Sequence, residues 1–139
     1  MLPVSIVGFF CEDIREEKAG TDTIIGIMPD NVNVRSIPCV FPKLGIYIRI
    51  HLDPAHDPGE IQLKLALPDG SEFSLGRFEA SLVTNSIDTA RAGGGPLAGL
   101  ISRAVASPFR IPAAGRIRAI VTVKGTEYIA AALNVQIGS

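Results

Sequence analysis

The sequence predicts an all-β protein, an immunoglobulin-like Greek-key β-sandwich of about eight or nine strands in one domain over residues 1–139. Aliphatic and polar residues alternate in several short segments, as they do in strands with one buried face. Turn-forming residues separate these segments, and ten prolines spread along the chain would interrupt long helices. A final hairpin and several longer connections favour the open Greek-key arrangement.

The first part of the chain contains three short strand candidates. The first covers residues 4–11, and Ala19-Gly20 is the turn that follows it. The second and third cover residues 23–28 and 32–35, with Pro29-Asp30-Asn31 between them. Proline, aspartate and asparagine favour turns, so these boundaries follow from the local chemistry.

The strongest alternation lies over residues 43–52, where every second residue is aliphatic: Leu44, Ile46, Ile48, Ile50 and Leu52. A helix would scatter these side chains around its circumference, whereas a strand places them on one face. The same pattern recurs over residues 61–67, 117–123 and 129–137. The associated turns are Pro68-Asp69-Gly70 and the hairpin turn Lys124-Gly125-Thr126.

Residues 97–106 fit either a strand or a helix. Leu97, Leu100, Ile101 and Ala104 have helical spacing, but prolines at 108 and 112 soon end the segment, which favours a strand. Gly93-Gly94-Gly95 before it is predicted to be a flexible loop. That loop is not a phosphate-binding loop, because no lysine follows it at the required spacing.

The composition limits the classes of function. Hydrophobic residues make up 47% and charged residues 19%, which excludes a disordered chain. A net charge of −1 gives no overall field for nucleic acid or an anionic membrane, although a local basic face stays possible. The apolar opening lacks a basic flank, and no apolar run reaches the length of about 18 residues needed to span a membrane. We therefore expect a cytoplasmic protein without a membrane partner.

The two cysteines leave two alternatives open. Cys11 and Cys39 are either free thiols in a reducing compartment or one bridge between the first strand and the segment before Phe41.

The loop from His51 to Pro58 holds the densest set of possible metal ligands: His51, Asp53, His56 and Asp57. Imidazole and carboxylate groups bind zinc or manganese, so these residues would serve a small metal-dependent hydrolase. The alternative is an ordinary loop in which Asp-Pro pairs end a strand and begin turns. We expect the second, and predict no metal site and no cofactor.

No catalytic residues are predicted. Glu12, Asp13, Glu16 and Glu17 could supply acid–base groups, but neighbouring residues on a strand point to opposite faces. A solvated strand end, with Arg15 neutralising a neighbour, explains them more simply. Neither cysteine nor any serine lies in a nucleophile motif.

A basic patch is predicted from two strands. Lys43, Tyr47 and Arg49 belong to one, beside His51, and Arg116, Arg118 and Lys124 to the other. If these strands pair, as the corresponding strands of immunoglobulin-like domains do, their outer face would bind an acidic partner or nucleic acid. The alternative is the ordinary polar surface of a solvated sheet.

A homo-oligomer formed through a sheet face is also predicted. Ala130 and Ala132 oppose the aliphatic set of residues 129–137, and Val7 and Phe9 oppose Ile6 and Phe10, so both faces of these strands are apolar. Strands of this kind must be covered on both sides.

Four segments resemble a family of short bacterial proteins known only as a domain of unknown function. They are Phe10-Cys11-Glu12-Asp13-Ile14-Arg15-Glu16-Glu17, Ile25-Gly26-Ile27, Phe41-Pro42-Lys43-Leu44 and Leu67-Pro68-Asp69-Gly70. The resemblance implies a bacterial or phage-associated stand-alone domain, and it supplies no catalytic residues.

Three functional hypotheses follow. The first is a non-enzymatic interaction module that self-associates and binds an unidentified protein or another macromolecule. The second is the metal-dependent hydrolase of the His51–Asp57 loop. The third is a structural subunit of a phage or secretion assembly.

Overall fold

The computed structural model describes residues 3–138, which are mostly β, so the all-β prediction is confirmed. Met1, Leu2 and Ser139 of the predicted domain lie outside the described residues. In chain order the elements are β1 (Pro3–Glu16), β2 (Asp22–Ile27), β3 (Asn31–Val34), β4 (Cys39–Phe41), β5 (Leu44–Leu52), β6 (Ile61–Ala66), β7 (Glu72–Phe78), α1 (Ala80–Ala92), β8 (Ala98–Ala106), β9 (Phe109–Ile111), β10 (Gly115–Val123) and β11 (Thr126–Ile137).

The strands form two larger sheets and one small one. The four-stranded sheet has the order β2-β1-β5-β8, and the five-stranded sheet has the order β3-β11-β10-β6-β7. Strands β4 and β9 pair separately. All pairings within these sheets are antiparallel except that of β3 with β11, which is parallel.

The core lies between the two larger sheets, because their buried aliphatic side chains form one cluster. The predicted alternation of β5 is confirmed: the five side chains from Leu44 to Leu52 are at most 1% exposed. Burying an aliphatic side chain of this size contributes about 1.5–3 kcal/mol to stability. The sheets approach closely at Gly8, where a Cβ atom would lie 3.0 Å from the carbonyl oxygen of Ala130 in β11.

Three details differ from the sequence predictions. Eleven strands are present in the described residues, more than expected, because short strands such as β4 and β9 carry no clear alternation; β1 is also longer than expected. The helix is α1 and not residues 97–106, whose strand interpretation is confirmed by β8. Helix α1 escaped prediction because only Val83 and Ile87 are buried in it, and most of its other residues are polar or small.

The hairpin of β1 and β2 bends over the outer face of the four-stranded sheet. Arg103 of β8, two strands away from β1, donates a hydrogen bond of 2.7 Å from Nε to Oδ1 of Asp22 at the start of β2. Ile14 of the same hairpin lies over Gly45 of β5, since a Cβ atom on this glycine would lie 3.3 Å from Ile14 Cγ1. The hairpin therefore covers part of that face.

Within residues 3–138, no helix is long and apolar enough to cross a membrane.

Candidate functional site

The strand pairing behind the predicted basic patch is wrong. Strand β5 pairs with β1 and β8, whereas β10 pairs with β6 and β11 in the other sheet. Consequently, the predicted patch is divided between two sheets, and the outer face of each sheet must be considered by itself. The members on or before β5 are Lys43, Tyr47 and Arg49, and those on or after β10 are Arg116, Arg118 and Lys124.

The outer face of the five-stranded sheet carries charges of both signs. Lys64 Nζ lies 2.8 Å from the Glu127 carboxylate and 3.1 Å from that of Glu72. These carboxylates, Glu127 before Glu72, raise the pKa of Lys64. Arg118 acts on Glu127 as well and lowers the pKa of its carboxyl group, after the larger effect of Lys64. This face is therefore not the uniformly basic surface that an anionic partner would require.

The outer face of the four-stranded sheet is apolar over much of its area. Its strand registers place residues in rows: Val7–Arg49–Ile101, then Phe9–Tyr47–Arg103, then Ile27–Cys11–Gly45–Val105. Val7 is 53% exposed, Ile27 62% and Val105 41%. We call the side chains of these three rows the apolar face.

Aromatic and basic groups lie among these aliphatic side chains. The rings of Phe9 and Tyr47 stack with their centroids 5.2 Å apart. Arg49 lies between Val7 and Ile101 and forms no ion pair within the part of the chain that the structure describes. An exposed face of this composition suits contact with another protein surface.

Cys11 belongs to β1 and is buried where the β1–β2 hairpin bends over the sheet face. Its thiol is buried, and both cysteines of the chain are free. Burial raises the pKa of the Cys11 thiol, and the nearby carboxylate of Asp13 raises it further. A thiol with these properties is a poor nucleophile, because the reactive species is the thiolate.

A cleft of about 900 Å³ opens between the edge strands β2 and β3. Its lining residues are Glu12, Asp13, Arg15, Ile25, Gly26, Ile27, Met28, Pro29, Asn31, Val32, Asn33, Phe41, Pro42 and Lys43. Three of the four segments that carry the family resemblance contribute to this wall. A volume of this order is common among ligand sites of proteins.

The two acidic side chains of the cleft, those of Glu12 and Asp13, contact different groups. Glu12 lies against Gly26, where a Cβ atom would lie 2.5 Å from the Glu12 carboxylate carbon, and Gly26 has a positive φ of 67°. Asp13 forms an ion pair of 3.3 Å with Lys43, and the nearby charge of Arg15 also lowers the pKa of the Asp13 carboxyl group, after larger effects. The Ile14 backbone N–H, followed by the Lys43 ammonium group, lowers the pKa of Asp13.

Of the four candidate metal ligands, only His56 and Asp53 contact each other, while His51 and Asp57 have other partners. His51 Nδ1 lies 3.0 Å from Ser5 Oγ, and His56 Nδ1 lies 3.3 Å from Asp53 Oδ2. Asp57 accepts a 2.7 Å hydrogen bond from the Thr84 hydroxyl of α1. Among residues 3–138, no three His, Cys, Asp or Glu side chains form a group that could hold a metal. The hydrolase hypothesis gains no support from this loop.

Sequence reasoning missed two features of this region. One is the Ser5–His51 pair, which joins residues 46 positions apart and has no acidic third member among the described hydrogen bonds. The other is the row of Asn31 and Asn33 along the cleft. Its signal in the sequence is the Asn-Val-Asn-Val alternation of β3, which matches Asn-Val-Gln-Ile in β11.

The fold and these surfaces define a mostly β protein that presents an apolar sheet face and an open cleft between two edge strands. The chain belongs to the family of unknown function DUF6941, which matches residues 6–136. No curated protein and no solved structure matches it significantly.

Proposed function

We propose that this protein is a non-enzymatic interaction module that self-associates by packing the apolar faces of two copies together. The observation that carries the proposal is the exposure of Val7, Ile27 and Val105 on one sheet face. Completing the burial of each would contribute on the order of 1 kcal/mol, because each is already about half buried.

An ion pair between the two copies is also part of the proposal. Arg49 has no ion pair in the described residues, and the Glu16 side chain is 75% exposed with only a 4.0 Å contact to Arg103. In a two-fold dimer, contact of Arg49 with the partner copy's Glu16 occurs twice. Such contacts specify the orientation, while the apolar side chains supply most of the free energy.

Sedimentation of a matched pair of variants tests the proposal. Val7→Asp places a charge on the apolar face, and Ile129→Asp places one on the other sheet at nearly equal exposure, 53% against 52%. We expect the unchanged protein and Ile129→Asp to sediment as dimers at micromolar concentration. Val7→Asp should sediment as a folded monomer, with folding checked by its melting temperature.

A charge exchange makes the test independent of the apolar variant. Arg49→Glu should weaken the dimer at least tenfold, and adding Glu16→Lys should restore most of the affinity. A monomeric unchanged protein would end the proposal. Large assemblies would instead favour the structural subunit of a phage or secretion particle.

Several finer statements belong to the same proposal. A cytoplasmic location is supported by the two free thiols, which persist in reducing compartments. An immunoglobulin-like Greek-key description is supported by neighbouring strands that are distant in sequence, such as β5 and β8. A bacterial origin is supported only by the resemblance of the four segments.

A further inference from the structure

The outer edge of β3 carries backbone groups that β11 does not use. Asn134 N donates to Asp30 O at 2.8 Å, and Gly138 N donates to Val34 O at 3.1 Å. In a parallel pair, alternate residues direct both backbone groups to the partner strand. Asp30, Val32 and Val34 therefore face β11, and the N–H and C=O groups of Asn31 and Asn33 face the cleft.

A ladder of side-chain amides runs beside this edge. Asn134 Nδ2 donates to Asn31 Oδ1 at 3.1 Å, and Gln136 Nε2 donates to Asn33 Oδ1 at 2.8 Å. Each bond uses an oxygen of the β3 asparagine and leaves its amide N–H groups available on the cleft side. A further strand with Asn or Gln at matching positions would accept hydrogen bonds from these N–H groups and so extend the ladder.

The remaining walls of the cleft are neutral overall and apolar. Glu12 and Asp13 balance Arg15 and Lys43, two carboxylates against two cations. The aliphatic and aromatic groups of the wall are those of Ile25, Ile27, Met28, Val32 and Phe41. Such a wall has no net charge with which to select an anion or a nucleic acid, and it suits apolar side chains.

We infer that the cleft binds an extended, uncharged segment of a partner protein, which adds to β3 as a further strand of the five-stranded sheet. Its backbone bonds to Asn31 and Asn33. Its alternate side chains are apolar, directed into the cleft, and Asn or Gln, directed onto the amide ladder. Strand addition of this kind derives affinity from the main chain and specificity from alternate side chains.

The other three edges of the two larger sheets are less suited to this role. Strand β2 is interrupted at Gly26, and β7 contains Gly76 with φ of 103° beside a register shift. The beginning of β8 is covered by α1, whose Ser86 hydroxyl donates to Gly99 O at 3.1 Å. Interruptions and covers of this kind prevent unwanted pairing at an edge.

The test uses a peptide with the sequence of residues 130–137, Ala-Ala-Ala-Leu-Asn-Val-Gln-Ile, because this sequence already pairs with β3 in the fold. We expect it to bind the full chain, with amide chemical-shift changes centred on residues 25–34. A peptide with alanine in place of its Asn and Gln should bind at least tenfold more weakly.

Two variants of Asn33 distinguish the contribution of its backbone N–H to peptide binding from that of its side-chain amide. Asn33→Pro removes the side-chain amide and also an N–H that faces the cleft, and it leaves the backbone hydrogen bonds between β3 and β11 intact, since proline is tolerated where the N–H of an edge strand is free. Asn33→Ala removes only the side-chain amide. We expect Asn33→Pro to bind at least tenfold more weakly than Asn33→Ala, with similar melting temperatures for both.

Equal binding by both variants, or shift changes confined to residues outside 25–34, would overturn the inference. Loss of dimerisation in Asn33→Pro would overturn it too, because the edge would then be occupied by a second copy. The Val7→Asp variant should retain peptide binding, so failure here is distinguishable from failure of the proposed dimer.

Discussion

At the scale of single residues, Gly45 shows how the outer sheet face is shaped by a missing side chain. A Cβ atom there would lie 2.6 Å from Cys11 Sγ and 3.3 Å from Ile14 Cγ1. Both atoms belong to β1, which passes beside β5 before it bends over the face. Only glycine lets the hairpin pack this closely.

We expect Gly45→Ala to destabilise the protein by about 1–3 kcal/mol, the usual range for overpacking. Combining it with Cys11→Ala should be less harmful than the sum of the two single changes, because the sulfur atom in the clash is removed. Urea unfolding measures all three. Gly99→Ala is the control on the same face, since its Cβ would meet only His51 Cδ2 at 4.0 Å. Additive effects of the two changes would contradict the contact.

At the scale of elements, the sequence pattern of one strand does not determine which strands pair with it. That pairing depends on residues far apart in the sequence. The alternation of β5 predicted its bounds and its buried face correctly, because both depend on nearest neighbours in sequence. The same pattern could not predict that β5 pairs with β1 and β8 instead of β10. The basic patch was therefore misplaced although the faces of its strands were right.

Helix α1 and strand β3 were harder to predict from the sequence, because they too depend on contacts between residues far apart in the chain. Helix α1 is held by contacts with a remote loop: Thr84 bonds Asp57, and Arg91 Nε donates to Pro54 O at 2.9 Å. Only Val83 and Ile87 of the helix are buried, so the sequence lacks the broad apolar stripe that would reveal a helix. Strand β3 lies against the last strand of the chain, so its cleft becomes visible only in the folded protein.

The hydrogen bond from Arg103 Nε to Asp22 Oδ1 also acts at the scale of elements, because it joins β8 to the start of β2. We expect Arg103→Ala to loosen the β1–β2 hairpin and to speed hydrogen exchange of amides in residues 15–23 about tenfold, equivalent to about 1.4 kcal/mol. Arg77→Ala is the control, because its ion pairs of 3.6 and 3.7 Å lie on the other sheet. Unchanged exchange at residues 15–23 would show that the hairpin is held by packing alone.

At the scale of the whole molecule, several carboxylates make stability depend on pH. Hydrogen bonds lower the pKa values of Asp13, Asp53, Asp57 and Asp69, with the first donors being Ile14 N–H, Ala55 N–H, the Thr84 hydroxyl and the Ser71 hydroxyl. The unfolded chain then binds protons more readily than the folded one, so stability falls as pH decreases.

We expect the free energy of unfolding to decrease from about pH 5 downward, through the ordinary aspartate pKa near 3.9. Thr84→Val removes the first donor to Asp57 and should make this decrease shallower. Thr89→Val, on the same helix and also exposed, is the control. Urea unfolding at several pH values measures the slopes, and equal slopes for both variants would contradict the assignment.

We propose two contact surfaces on the molecule, one for its own copy and one for a partner segment. They share Ile27, whose side chain belongs to the apolar face and lines the cleft. Substitution of Ile27 should therefore affect both activities, unlike Val7 or Asn33.

Isotope-filtered NMR on a mixture of labelled and unlabelled chains tests the central claim most directly. We expect intermolecular contacts at the methyl groups of Val7, Ile27 and Val105, and no such contact at Ile129. Intermolecular contacts at Ile129 alone, or none at concentrations where the protein sediments as a dimer, would contradict packing through the apolar face.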